Sequence, residues 1–251
     1  MKPMAVRVLV GAVLLGTGAG ALDASPWWVA YEADDGRLPE EVGPWKRNWG
    51  NWQGQYQGPG AYRTIKDGIL TYDSLYDKGV FDFSYIKRPG AMDPGPDEFF
   101  LAEWRVNVLR VADQADPAIT VASDEAWVVA FWFAEDRIFS IFEGFQEIPV
   151  APHLMHSYRF VSDDMRRYEL YVDGLLARVG AFSRRVGPSE VNWGDSTQGA
   201  ASLHEWDYFR VGVIPEARTA ASLIASFALM GWRGAGPRRR VASSARRFRH
   251  G

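Results

Sequence analysis

No segment between residues 25 and 213 sustains a helical period, and that property alone removes most folds from consideration. In its place stand short runs of β-branched and aromatic residues, parted by turn residues. The longest covers 99–111. Phe100, Ala102, Trp104, Val106 and Val108 fall on one face of such a strand, and Glu103, Arg105 and Asn107 on the other. Residues 126–134 are nearly all apolar, as in a strand buried on both faces. Glu135-Asp136 then makes a tight hairpin to a run over 137–142. Further strands are expected over 156–161, 168–172, 175–179 and 205–213. Asp173-Gly174, set between two of them, is a strong short-range hairpin signal. Many short strands and no long helix predict an all-β domain of two packed sheets, a sandwich or jelly roll.

Eleven tryptophans serve such a core well, and Trp27, Trp104, Trp127 and Trp132 sit where core rings belong. Cysteine is absent, so neither a disulfide nor a thiolate chemistry is available. The formal charge of −3 hides an asymmetry. Residues 1–21 and 218–251 hold ten of the 28 Lys and Arg and none of the 31 Asp and Glu, so the stretch between them carries −13. A domain that acidic lacks the basic footprint that nucleic acid requires.

The two ends read as separate from the fold. Residues 1–24 have the form of an export signal. Lys2 and Arg7 precede a short apolar stretch, and Ala19-Gly20-Ala21 offers the small residues of a cleavage site. At the other end, Ile214-Pro215-Glu216 is followed by an apolar run over 219–232 and then by Arg233 and Arg238-Arg239-Arg240. Motif, apolar helix and basic stop together resemble the PEP-CTERM tail of exosortase-sorted bacterial proteins. The family usually has a second proline where this chain has Ala217. The resemblance implies a transient inner-membrane anchor handled by sorting machinery, with the protein exported to the envelope surface or beyond. The expected division is therefore a signal over 1–24, a sandwich over 25–213, and a hydrophobic sorting tail over 214–251.

Within the sandwich, four segments carry a second resemblance: His156-Ser-Tyr-Arg-Phe, Tyr168-Glu-Leu-Tyr-Val-Asp-Gly174, Trp193-Gly-Asp195 and Trp206-Asp-Tyr-Phe-Arg-Val-Gly212. In this order they are similar to the concanavalin A-like lectin and glucanase superfamily, especially its laminin-G-like members. The resemblance covers 153–213 by motif and 26–150 only by strand pattern. It implies a concanavalin A-like jelly roll and a carbohydrate-related role. The Trp206-Asp207-Tyr208 strand also resembles the closing strand of family-sixteen glucanases. That likeness implies a structural calcium on Asp207, with Glu32 of the first strand beside it and carbonyl or water oxygens completing the shell; the alternative is that Asp207 caps a strand or pairs with Arg210.

Glycosidases of this superfamily space their acids on alternate residues of one strand, so that they share a face. That spacing is absent here. Glu32, Asp34 and Asp35 lack a second Glu, Glu135 and Asp136 are adjacent, and Glu143 and Glu147 lack a central Asp. There is no Gly-x-Ser-x-Gly elbow and no His-Glu-x-x-His. His156 and His204 fall on strands and read as structural. Rings for a sugar are more plausible in the Gly-, Asn- and Gln-rich stretch 43–61, read as loop. There Trp45, Trp49, Trp52 and Tyr56, with Tyr62 just beyond, would stack on sugar faces. The alternative is that these rings fold back to cap the sandwich. The leading expectation is a non-catalytic, carbohydrate-binding module for an extracellular polysaccharide or matrix glycan. A secreted carbohydrate-active enzyme with acids from separate strands, and a structural envelope protein, are the two alternatives.

Overall fold

Alternation along the chain does produce strands, and they assemble into two eight-stranded antiparallel sheets. The computed structural model describes residues 29–51, 62–75, 80–88, 92–112, 118–144, 146–195 and 201–215. The expected export signal and nearly all of the expected tail lie outside them.

Sheet A contains β1 (Val29–Glu32), β3 (Tyr62–Lys66), β4 (Ile69–Asp73), β6 (Glu98–Ala112), β11 (His156–Ser162), β12 (Arg167–Val172), β13 (Leu175–Ala181) and β16 (Ala201–Pro215). Its order is β13-β12-β11-β6-β16-β4-β3, and β1 also pairs with β16. Sheet B contains β2 (Lys46–Asn51), β5 (Val80–Lys87), β7 (Ala118–Asp124), β8 (Trp127–Phe133), β9 (Arg137–Ser140), β10 (Glu147–Pro149), β14 (Ser183–Arg184) and β15 (Glu190–Asp195). Its order is β10-β9-β8-β7-β15-β5-β2, with β14 also on β8. One helical turn, α1 (Pro39–Val42), precedes β2. The architecture is a β-sandwich of jelly-roll type, as the strand pattern predicts.

Two long strands set the frame of sheet A. β6 and β16 pair along nearly their whole length, from Ala112 opposite Ala201 to Glu98 opposite Pro215. The last strand thus continues two residues past the expected boundary at 213, and Ile214 is buried. Bulges in β16 beside β6 re-aim its side chains after Leu203 and after Trp206. The expected faces of β6 hold: Phe100, Ala102, Trp104, Val106 and Val108 all enter the core. The β12–β13 hairpin also forms as expected. Asp173 and Gly174 adopt φ of 50° and 80°, the left-handed pair that a two-residue hairpin turn needs.

The core is built from stacked rings. Trp104 stacks on Tyr158 at 5.6 Å and on Phe209 at 5.9 Å, and Phe209 stacks on Trp193 at 5.2 Å. Each fully buried ring contributes about 2–3 kcal/mol by leaving water. Trp132 departs from expectation. It pairs in register with Phe139 on β9 and packs edge to face against it at 5.5 Å, half-buried on the outer side of sheet B. Val129, Phe131 and Phe133 take the inner positions of that strand. Trp127 is likewise only half-buried, and Trp27 lies outside the described residues.

Candidate functional site

Strand β5 reads Val-Phe-Asp-Phe-Ser-Tyr-Ile-Lys, with rings alternating against polar residues. A half-buried strand normally turns its rings inward. Here the phase is reversed. Asp82 and Ser84 are fully buried between the sheets, whereas Phe81, Phe83 and Tyr85 occupy the outer face and are half-buried.

Two arginines make this reversal tolerable. Arg47 of β2 donates to Asp82 through Nε at 2.9 Å and again through Nη2. Arg63 of β3, in the opposite sheet, brings its Nε to 3.6 Å from the same carboxylate and also holds Glu40 of α1 through both terminal nitrogens. Burial raises the Asp82 carboxyl above its ordinary range, against the pull of both guanidinium groups. Glu40 is also pushed up by burial, but its bonds to Arg63 outweigh this and hold it below the ordinary value. A second polar link lies alongside. Asp195 is the register partner of Asp82 and is equally buried. It accepts from Ser74 Oγ at 2.5 Å, and its Oδ2 lies 3.9 Å from His204 Nε2. His204 in turn accepts from Trp206 Nε1 at 2.7 Å and stacks on Tyr72. Both links join sheet A to sheet B. Carboxylates distant in sequence do converge here, but within the core and not toward a groove.

The reversal leaves rings on the outer face of sheet B. Phe81, Phe83 and Tyr85 follow one another with centroids 5.9 Å and 6.2 Å apart. Across the sheet, Asn48 and Gly194 flank Phe83, while Lys46 and Asn192 flank Tyr85. Gly194 has φ of 130°, and a Cβ there would meet the Asp82 carbonyl oxygen at 2.9 Å and the Phe83 Cα at 3.0 Å. No other residue fits beside Phe83 without moving backbone. Lys87 lies 5.5 Å from the Tyr85 ring centroid and 3.8 Å from Glu190, to which Asn192 also donates. Farther across the sheet, beyond β15 and β7, the outer positions of β8 and β9 hold the half-buried Trp132 and the buried Phe139. Among the described residues this face has acids in outer register at Glu190 and at Glu147. Four strand spacings separate β15 from β10, about 19 Å, too far for a glycosidic acid pair.

The central strands of the opposite outer face, on sheet A, carry a ladder of polar and ion pairs. Arg210 grips both oxygens of Glu32 at 2.5 and 2.9 Å, and Arg159 approaches Glu103 at 3.6 Å. Arg105 reaches Asp207 at 2.7 Å, and Asn107 donates to Glu205 at 3.1 Å.

The residues singled out from sequence fall as follows. Trp45 is no exposed platform. It is 2% exposed and wedged edge-on between Trp193 and Phe209. The stretch read as loop contains β2, which forms because β5 supplies a pairing partner, although its own residues carry no apolar alternation. Trp49 stands opposite Asp82 on that strand, half-buried, with the Arg47 guanidinium 5.2 Å from its ring. Trp52 and Tyr56 lie outside the described residues, and Tyr62 is 58% exposed on β3. Glu32 and Asp207 do not form one site: each carboxylate is held by a different arginine. Among the described residues no group of three or more His, Asp or Glu is placed to hold a metal ion. As placed, the pair does not fit a calcium centre, because a guanidinium fills the position the cation would need. Sequence reasoning missed β5. Its signal was the Asp82–Ser84 alternation, legible only with Arg47 and Arg63 beside it.

Comparison of the sequence with known families and with curated proteins finds no match in either. Solved structures do resemble it. A carbohydrate esterase from Shiga toxin-encoding bacteriophage phi24B aligns with a TM-score of 0.53 at 10% identity, covering 75% of this chain and 98% of that one. A structure from work on endo-acting O-glycanases of the human gut microbiota, which initiate mucin breakdown, gives 0.50 at 12% identity, covering 75% and 99%. At these identities the likeness establishes the sandwich fold.

Proposed function

We propose that this chain is an exported, lectin-like β-sandwich of the concanavalin A type that binds carbohydrate on the outer face of sheet B without cleaving it. The observation that carries this reading is the reversed phase of β5. Asp82 is buried at the cost of desolvating a carboxylate, while three half-buried rings face outward. Rings with flanking amides suit sugars, whose apolar faces stack and whose hydroxyls need hydrogen bonds. Phe81, Phe83 and Tyr85 offer the first, and the exposed Asn48 the second. The wide separation of Glu190 from Glu147 favours binding over hydrolysis. The two structural neighbours carry carbohydrate-related names, which agrees with a glycan partner. The composition of residues 1–24 supports export.

The test is a polysaccharide array probed with the full chain and with Phe83→Ala. Wild type should retain at least one polymer, and the variant should bind it at least about tenfold more weakly. The half-buried ring supports little of the core, so thermal stability should fall by less than ~2 kcal/mol. Equal binding by both proteins would remove this face as the site.

A further inference from the structure

We infer that the polymer bound on this face is anionic, carrying a carboxylate or sulfate on its sugars. The inference rests on the carbohydrate-binding reading above and narrows it. Two ammonium groups bracket Tyr85: Lys46 directly across the strand pair on β2, and Lys87 two residues along β5. Successive outer residues of a strand stand about 7 Å apart, so both lysines lie within one sugar's reach of the ring. Lys87, 59% exposed, shares Glu190 at 3.8 Å. Lys46 makes no ion pair with any of the described residues, in a domain whose acids far outnumber its bases. Arg47, Arg63, Arg105, Arg159, Arg178 and Arg210 each meet a carboxylate, whereas Lys66, Arg110, Arg167 and Arg184, like Lys46, meet none among the described residues; what sets Lys46 apart is its place across from Tyr85. An ammonium beside the half-buried rings and the exposed Asn48 amide suits a ligand carboxylate or sulfate as its counter-anion. The competing account is that Lys46 merely guards the exposed edge of β2 against strand addition. That account predicts no effect on binding.

The experiment measures affinity of the full chain for polygalacturonate, a sulfated galactan and a neutral β-glucan, each at low and high salt. Wild type should prefer one or both anionic polymers, and the preferred arm identifies carboxylate or sulfate. Lys46→Gln should weaken that binding roughly three- to tenfold, and added salt should do the same to wild type. Lys66→Gln, on the outer face of sheet A, should change nothing. Equal affinity for the neutral glucan, with Lys46→Gln inert, overturns the anionic assignment and leaves the carbohydrate reading standing. Failure to bind any of the three, together with an empty polysaccharide array, overturns the carbohydrate reading itself.

Discussion

The outer faces of the two sheets solve the same problem in opposite ways. Sheet A covers its central strands with charge and then neutralises it locally: Glu32 with Arg210, Glu103 with Arg159, Asp207 with Arg105. Among the described residues, apolar side chains stand exposed only toward the edges of that face, Tyr62 on β3 and Leu176 and Val179 on β13. Sheet B turns Phe81, Phe83 and Tyr85 outward and draws its charge inside, where Asp82 meets Arg47 and Arg63. A face of closed ion pairs keeps a sheet soluble, whereas a face of rings and amides is complementary to something outside the chain. The difference teaches that the buried salt cluster and the outward, half-buried rings are one feature. Asp82 is inside because the rings are outside.

Removing the inner half of that feature should have the largest effect. Asp82→Ala leaves Arg47 and Arg63 beside an empty position in the core. Breaking a buried pair by deleting one partner costs about 3–5 kcal/mol. For a domain of this size, the melting temperature should fall by roughly 10 °C. Calorimetry of the full chain checks this. A fall of only a degree or two would mean that water already reaches Asp82, and the contrast between the faces would lose its basis.

How much of this was legible beforehand depends on whether the deciding partner was local. The faces of β6 could be read directly, because Phe100 to Val108 alternate cleanly against Glu103, Arg105 and Asn107. The β12–β13 hairpin was legible for the same reason, since Asp173-Gly174 carries its own turn geometry. The phase of β5 was not. Its rings would be placed inward by alternation alone, and only Arg47, 35 residues earlier, and Arg63 from the other sheet make the reverse stable. Trp45 was misread through its neighbours. A polar, Gly-containing stretch looks like loop until β5 pairs with it, and the ring then falls between Trp193 and Phe209. Trp132 was misplaced inward because residues 127–133 are apolar on both faces, which leaves the phase undetermined.

A smaller effect separates two acids of the sheet A side, which respond to pH in opposite senses. Burial raises the Glu103 carboxyl, with Arg159 and Arg210 opposing, so its folded value lies above its unfolded one. Stability is therefore lost as pH rises from the unfolded carboxylate value, about 4.3, through the folded value. Asp173, at the β12–β13 turn, behaves conversely. Burial pushes it up, but the Ser157 N–H and the His156 ring outweigh this and hold it below its ordinary value. Its contribution is present above about pH 3.9 and is lost as pH falls through the folded value. In urea titrations across pH, Glu103→Gln should remove the decline on the alkaline side of that window. Asp173→Asn should flatten the acid limb. Identical pH profiles for both variants would show that neither group is linked to folding as its surroundings require.

The smallest effect should come from Asp207, and it bears on whether the charged face is truly closed. Its carboxylate accepts from Arg105 at 2.7 Å, and both side chains are partly in water. Such a pair contributes under ~1 kcal/mol, so Asp207→Asn should move the melting temperature by no more than about 2–4 °C. The same geometry speaks to calcium. A cation at Asp207 would have to displace a guanidinium, and it would find Glu32 already committed to both nitrogens of Arg210. Calcium or a chelator should therefore leave the melting temperature where it is. A rise with calcium that Asp207→Asn abolishes would show that the ion outcompetes Arg105. Sheet A would then hold a ligand site of its own, and the division between a closed face and a receptive one would have to be redrawn around that carboxylate.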